Sequence, residues 1–193
     1  MRILCCGMRR SGSTLLANTI RQAIELTGKS MFTKFIQDHE DYDPPVDVDY
    51  EVLKFHSFNP EFYMSRAPTF TMIRDLRDMA ASAIAFGMCE DSPEGAVAFI
   101  GNCLVREYNP WKRVTWIEIK YECFMDGPVA VTKLLCDRIG LEEIDPEEVC
   151  NRVAKLPESK LSSRHRTSAK VTPPVRDAIE KTFGRWLYEH GYR

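Results

Sequence analysis

The spacing of apolar residues changes once within the first 26 positions. Ile3 to Cys6 are consecutive and apolar, as in a strand covered on both faces, whereas Leu15, Leu16, Thr19, Ile20, Ala23 and Ile24 recur at helical intervals. Gly7 and Gly12 frame the turn between them. Further strand-like runs at 31–35, 50–55, 68–73 and 114–119 alternate with helical spacing at 13–27, 60–66, 77–88 and 93–108. This alternation predicts an α/β fold with three layers, α/β/α, around a central parallel sheet. Several helix starts are marked: Asp75 with Asp78 as a capping pair, Ser92 before Pro93, and Asp145-Pro146 followed by Glu148. Ligands of such sheets lie beyond the carboxyl ends of the strands, where Gly7, His56 and Arg74 are expected to emerge.

The first strand, turn and helix predict an anion site. Ser11, Gly12, Ser13 and Thr14 occupy the first helical turn, whose backbone N–H groups lack intrahelical partners and sit at the positive end of the helix dipole. Together with the hydroxyls, they suit a phosphate or sulfate. Against the nucleotide-binding pattern G-x-x-x-x-G-K-[ST], the chain offers Gly7, Gly12, Ser13 and Thr14, with Ser13 in place of the lysine. An ordinary kinase or NTPase would thereby lose its clamp on the terminal phosphates. Arg9 and Arg10 supply positive charge from the loop side instead.

With 193 residues, 44% hydrophobic and 28% charged, the chain is long enough for one well-buried domain, and a single domain over 1–193 is expected. A net charge of −2 argues against a nucleic-acid partner. No stretch has the apolar length of a membrane span, and the N-terminal run is too short for a signal peptide. Seven cysteines without zinc-like spacing favour reduced thiols and a cytoplasmic location. No metal-ligand cluster is visible.

RRSGSTLL, residues 9–16, resembles the 5′-phosphosulfate loop of the PAPS-dependent sulfotransferases, P-[RK]-S-G-[ST]-T-[LW]-L. FTMIRDLRDMAASAIAF, residues 70–86, is similar to that family's 3′-phosphate segment: an apolar strand, Arg74, Asp75, then Ser82 eight positions after the arginine. Arg9 and Leu76 stand where the family has prolines, which substitutes rigidity rather than a ligand group. In VLKFHSF, Lys54 and His56 share a strand face and resemble the Lys-x-His segment whose histidine is the family's catalytic base. WIEIKYECFMDGPVAVTKLLCDRIGL, residues 116–141, and the ending FGRWLYEHGYR extend the likeness over nearly the whole chain.

The resemblance implies a P-loop topology and transfer of the sulfuryl group of PAPS to a hydroxyl or amine of a small-molecule or glycan acceptor, releasing PAP, with no metal. It gives Arg10, Lys54 and His56 catalytic roles. Arg9, Arg10, Ser11, Gly12, Ser13, Thr14, Arg74 and Ser82 would hold the nucleotide, with Tyr121 near the adenine or in the core. A basic Ser-rich stretch, 155–170, resembles in position the segment that closes over the 3′-phosphate, through Arg164 or Arg166. The acidic run 37–51, with seven carboxylates, is a solvated loop or the acceptor entrance. Two other readings stand beside this one: a small-molecule kinase using Ser13 or Thr14 with magnesium and Arg10, and a PAP-binding protein without turnover. The sequence leaves the oligomeric state open.

Overall fold

The computed structural model describes residues 1–36, 42–43, 47–63, 66–157 and 171–192. Arg164 and Arg166 lie outside the described residues, as does much of the acidic run. Strand β1 (Arg2–Gly7) is central in a sheet ordered β2-β3-β1-β4-β5, with β2 (Met31–Ile36), β3 (Tyr50–Phe55), β4 (Thr69–Ile73) and β5 (Ile117–Lys120). Every pairing is parallel: Leu4 lies opposite Leu53 on one side and Thr69 on the other, Phe35 opposite Lys54, and Met72 opposite Ile119. The helices are α1 (Ser13–Leu26), α2 (Pro60–Tyr63), α3 (Leu76–Ala85), α4 (Pro93–Asn102), α5 (Asn109–Lys112), α6 (Tyr121–Asp126), α7 (Pro128–Arg138), α8 (Pro146–Lys155) and α9 (Pro173–Glu189).

Alternation along β1 divides the interior. Ile3 and Cys5 pack with Leu16, Ile20 and Ile24 of α1, Leu135 of α7 and Val149 and Val153 of α8. Leu4 and Cys6 point the other way, against Phe55, Phe62 and Trp111. A further cluster joins Ile73 and Leu76 to Ile100 of α4 and Val175 and Ile179 of α9. Fully burying one such aliphatic side chain stabilises the fold by about 1.5–3 kcal/mol, so both faces of β1 hold it at the centre. Leu135 of α7 and Ile139 just after it are buried as scaffold, whereas Val129 and Leu134 are exposed and Thr132 and Cys136 complete the buried face.

The helical pattern over 93–108 resolves into two parts. α4 ends at Asn102 and runs into a π-helical turn, Cys103–Tyr108, before α5. Strand β5 begins later than its apolar run, because the Trp111 carbonyl takes the Val114 and Thr115 amides, both at 3.0 Å. Ser92 caps α4 by accepting from Gly95 N–H at 3.0 Å. Asp75 and Asp145 each cap through the amide two residues on, Arg77 and Glu147. Neither capping box closes: Glu148 turns to Arg152, and the Asp75 amide donates to Glu122 at 3.1 Å instead of to Asp78. The seven cysteines are free thiols, with Cys5 and Cys6 serving as ordinary buried strand residues. Among the described residues, no helix is long and apolar enough to cross a membrane.

Candidate active site

Because the strands are parallel, the carboxyl ends of β1, β3, β4 and β5 share one edge, where Gly7 ends β1 and His56, Arg74 and Tyr121 follow the other three. The β1–α1 loop turns tightly, with Ser11 N–H donating to the Met8 carbonyl at 3.0 Å. Arg10 and Gly12 hold positive φ values of 69° and 102°. Gly12 has no room for a side chain: a Cβ would lie 2.5 Å from the Tyr121 ring. Gly12, at the N-cap of α1, has no side chain to cap it, so the first turn presents backbone donors at the sheet edge. Ser11 Oγ is buried there without a hydrogen-bond partner among the described residues.

Arg9 and Arg10 diverge. The Arg9 amide donates to Glu107 Oε2 at 2.7 Å, and its guanidinium meets Glu107 Oε1 at 3.0 Å. Arg10 instead donates from Nε to Ser82 Oγ at 2.9 Å, and its guanidinium lies 3.7 Å from the centre of the Phe86 ring. Ser82, expected beside Arg74, therefore already serves Arg10. Arg74 stacks over Tyr121 at 4.5 Å. It is only 8% exposed, and its Nε is buried without a hydrogen-bond partner among the described residues. Asp78 stands 3.6 Å from it, beyond hydrogen-bond range.

Lys54 and His56 both reach the loop, as their shared strand face implies. Lys54 Nζ donates to Thr14 Oγ1 at 2.8 Å and lies 4.5 Å from the Phe35 ring centre. His56 Nδ1 is 2.7 Å from the Gly7 carbonyl. A carbonyl only accepts, so Nδ1 carries the proton and Nε2 is the basic nitrogen of the neutral ring. The Phe35 ring meets the imidazole edge-on at 5.4 Å, and Trp111 Nε1 donates to the His56 carbonyl at 3.2 Å.

The electrostatics follow from crowding of like charges. Burial, and then the charge of Arg74, lowers the pKa of Arg10. Burial lowers Lys54 most; Cys5 opposes this and Arg10 adds to it. Among the described residues, Arg10 and Lys54 bond to hydroxyls and to no carboxylate. Such a cluster favours an anion, which would relieve the repulsion and use the idle donors on Ser11 and Arg74.

Two acidic residues missed in the sequence support this edge. Glu122 takes the Asp75 amide next to Arg74 and accepts the Tyr192 hydroxyl at 2.9 Å. Glu107, from the π-helical turn, holds Arg9. A signal for Glu107 was present, because it falls on the helical apolar stripe of Ala96, Ile100, Cys103, Leu104, Tyr108 and Trp111, all buried. Among the described residues, no group of three or more His, Cys, Asp or Glu gathers as metal ligands would.

No protein-family model matches the chain, and no curated protein matches it by sequence. Among solved structures, mouse sulfotransferase SULT7A1 complexed with PAP aligns with 97% of this chain and 84% of its own, with a TM-score of 0.59 and 14% identity. At that identity the shared property is the fold, a central parallel sheet flanked by helices, as in that sulfotransferase.

Proposed function

We propose that the protein is a PAPS-dependent sulfotransferase acting on a hydroxyl or amine of a small-molecule or glycan acceptor. The observation that carries this reading is the convergence of Arg10, Lys54 and Arg74 on the start of α1 beside a histidine of fixed tautomer, with Arg10 and Lys54 bonded to hydroxyls among the described residues and Asp78 3.6 Å from Arg74. PAP in the structural neighbour supports a nucleotide of the same kind here. The Ser11 to Thr14 turn with Arg10 would hold the 5′-phosphosulfate, and Arg74 the 3′-phosphate. Ser82 would steer Arg10 or turn to the nucleotide, and Tyr121 would support Arg74 and lie near the adenine. Arg9 acts through the loop.

In the reaction, the acceptor oxygen or nitrogen attacks sulfur while its proton passes to His56 Nε2, whose Nδ1–H remains on the Gly7 carbonyl. The bond from sulfur to the bridging oxygen breaks, and PAP leaves with the added negative charge. Lys54 and Arg10 are positioned to stabilise that charge in a partly desolvated setting. Free thiols suit a reducing compartment, and the cytoplasm is the proposed setting.

Calorimetry with PAP, ATP, AMP and GTP tests the reading. PAP is expected to bind tightest, with little change when magnesium is chelated. Magnesium-dependent ATP binding tighter than PAP would favour a kinase; PAP binding without transfer from PAPS to any alcohol, phenol, sugar or amine would leave a nucleotide-binding protein.

A further inference from the structure

We infer that Glu107 is a positioning residue for the anion-binding loop: by holding Arg9 at two points, it fixes the strained backbone at Arg10 and sends the two arginines in opposite directions. This rests on the nucleotide reading of the loop. Glu107 is 1% exposed, an unusual setting for a carboxylate. Its two oxygens receive the Arg9 backbone N–H and face the Arg9 guanidinium, across 98 residues of sequence. For the Cys103 thiol, one turn back in the π-helical segment, burial first and then the charge of Glu107 push the pKa up. A buried carboxylate needs an opposite charge and hydrogen bonds, and Arg9 brings its guanidinium to one oxygen and its backbone N–H to the other.

The consequence reaches the next residue. Arg10 has a φ of 69°, left-handed backbone that a non-glycine residue adopts only when its surroundings over-determine it. With residue 9 pinned on its amide and its side chain, the chain enters Arg10 from a fixed direction, and the Arg10 side chain is delivered to Ser82 and Phe86 beside Arg74. The π-helical turn brings Glu107 inward, and such insertions recur at functional sites. Arg9 thus acts on the anion through the backbone of its neighbour rather than as a ligand.

Two variants and one measurement on the unaltered protein test this. Glu107→Gln keeps the shape but removes the charge; the double variant Arg9→Met/Glu107→Leu removes the pair without stranding a buried charge. In folded protein, both should bind PAP roughly 10- to 100-fold more weakly. Adenosine 5′-phosphosulfate should weaken by the same factor, because the loop serves the 5′ side that both nucleotides share. Wild-type affinity in the double variant would overturn the inference. So would tighter binding, which would make Arg9 a ligand held back by Glu107. In the unaltered protein, the Arg9 amide should exchange hydrogen as slowly as an interior helix amide; exchange at the rate of an open loop would also overturn it, even if no variant folds. If the unaltered protein binds neither nucleotide, the proposed function fails while the exchange measurement still tests the clasp.

Discussion

Replacing Arg74 with methionine should move stability and affinity apart. The nucleotide-free protein loses the stack on Tyr121, of order 0.5–2 kcal/mol, and a long contact to Asp78 that contributes at most about 1 kcal/mol. It also sheds a buried Nε without a partner, whose desolvation costs about 1–3 kcal/mol, and the repulsion from Arg10. These terms nearly cancel, so unfolding free energy should change by no more than about 1 kcal/mol either way. Binding has no such compensation. Removing a desolvated charge partner of a phosphate should cost about 2–5 kcal/mol, which at about 1.4 kcal/mol per decade is a 30- to 4,000-fold rise in the Kd for PAP. Adenosine 5′-phosphosulfate, which lacks the 3′-phosphate, should weaken far less. Titration calorimetry with both nucleotides, alongside urea denaturation, makes the comparison. Equal weakening of the two nucleotides, or a loss of stability above about 3 kcal/mol, would refute the reasoning and make Arg74 a structural residue.

His56→Ala should lower single-turnover transfer from PAPS by roughly 10²- to 10⁴-fold while leaving PAP affinity and melting temperature nearly unchanged; equal rates at saturating acceptor would remove His56 from the mechanism. Lys54 makes a prediction of defined sign. Burial holds its folded pKa below the ordinary lysine value of 10.5, so between the two values the unfolded chain holds the extra proton, and the stability of the nucleotide-free protein should rise with pH. PAP affinity should fall through the same alkaline window as the ammonium discharges. Calorimetry on wild type and Lys54→Met checks this, and an alkaline loss of affinity that is identical in the variant would exclude Lys54 as its source.

What the sequence made legible, and what it did not, follows from the range of each interaction. The β1–α1 unit was readable because strand spacing, two glycines, three hydroxyls and helical spacing lie within 24 residues, and local periodicity reports local structure. The shared face of Lys54 and His56 followed from strand alternation alone. Spacing in one segment cannot show which loop folds over it, and so the Arg10–Ser82 bond, formed across 72 residues, was not foreseen. Glu122 replaced Asp78 in the expected capping box for the same reason, since its partner comes from a different strand end. The acid on the apolar stripe that runs from α4 into the π-helical turn was a readable irregularity, although only the fold shows that Arg9 lies opposite it.

The strand order has a further consequence while the chain is being made. β1 emerges before the other strands of its sheet, and the positions that flank it come much later: Leu4 pairs with Leu53 and with Thr69. At about 5–20 residues per second, the ribosome needs roughly 3–13 s to deliver the second of these partners. Until then, a strand that is apolar after Arg2 keeps at least one unfilled edge open to other nascent chains. With a parallel sheet there is no hairpin to shelter it, and the non-local pairing that centres β1 is also slow to form. The strand that carries the loop is therefore the segment most dependent on chaperone cover during synthesis, and charge placed on either of its faces should reduce soluble yield more than the same charge on β2 at the sheet edge.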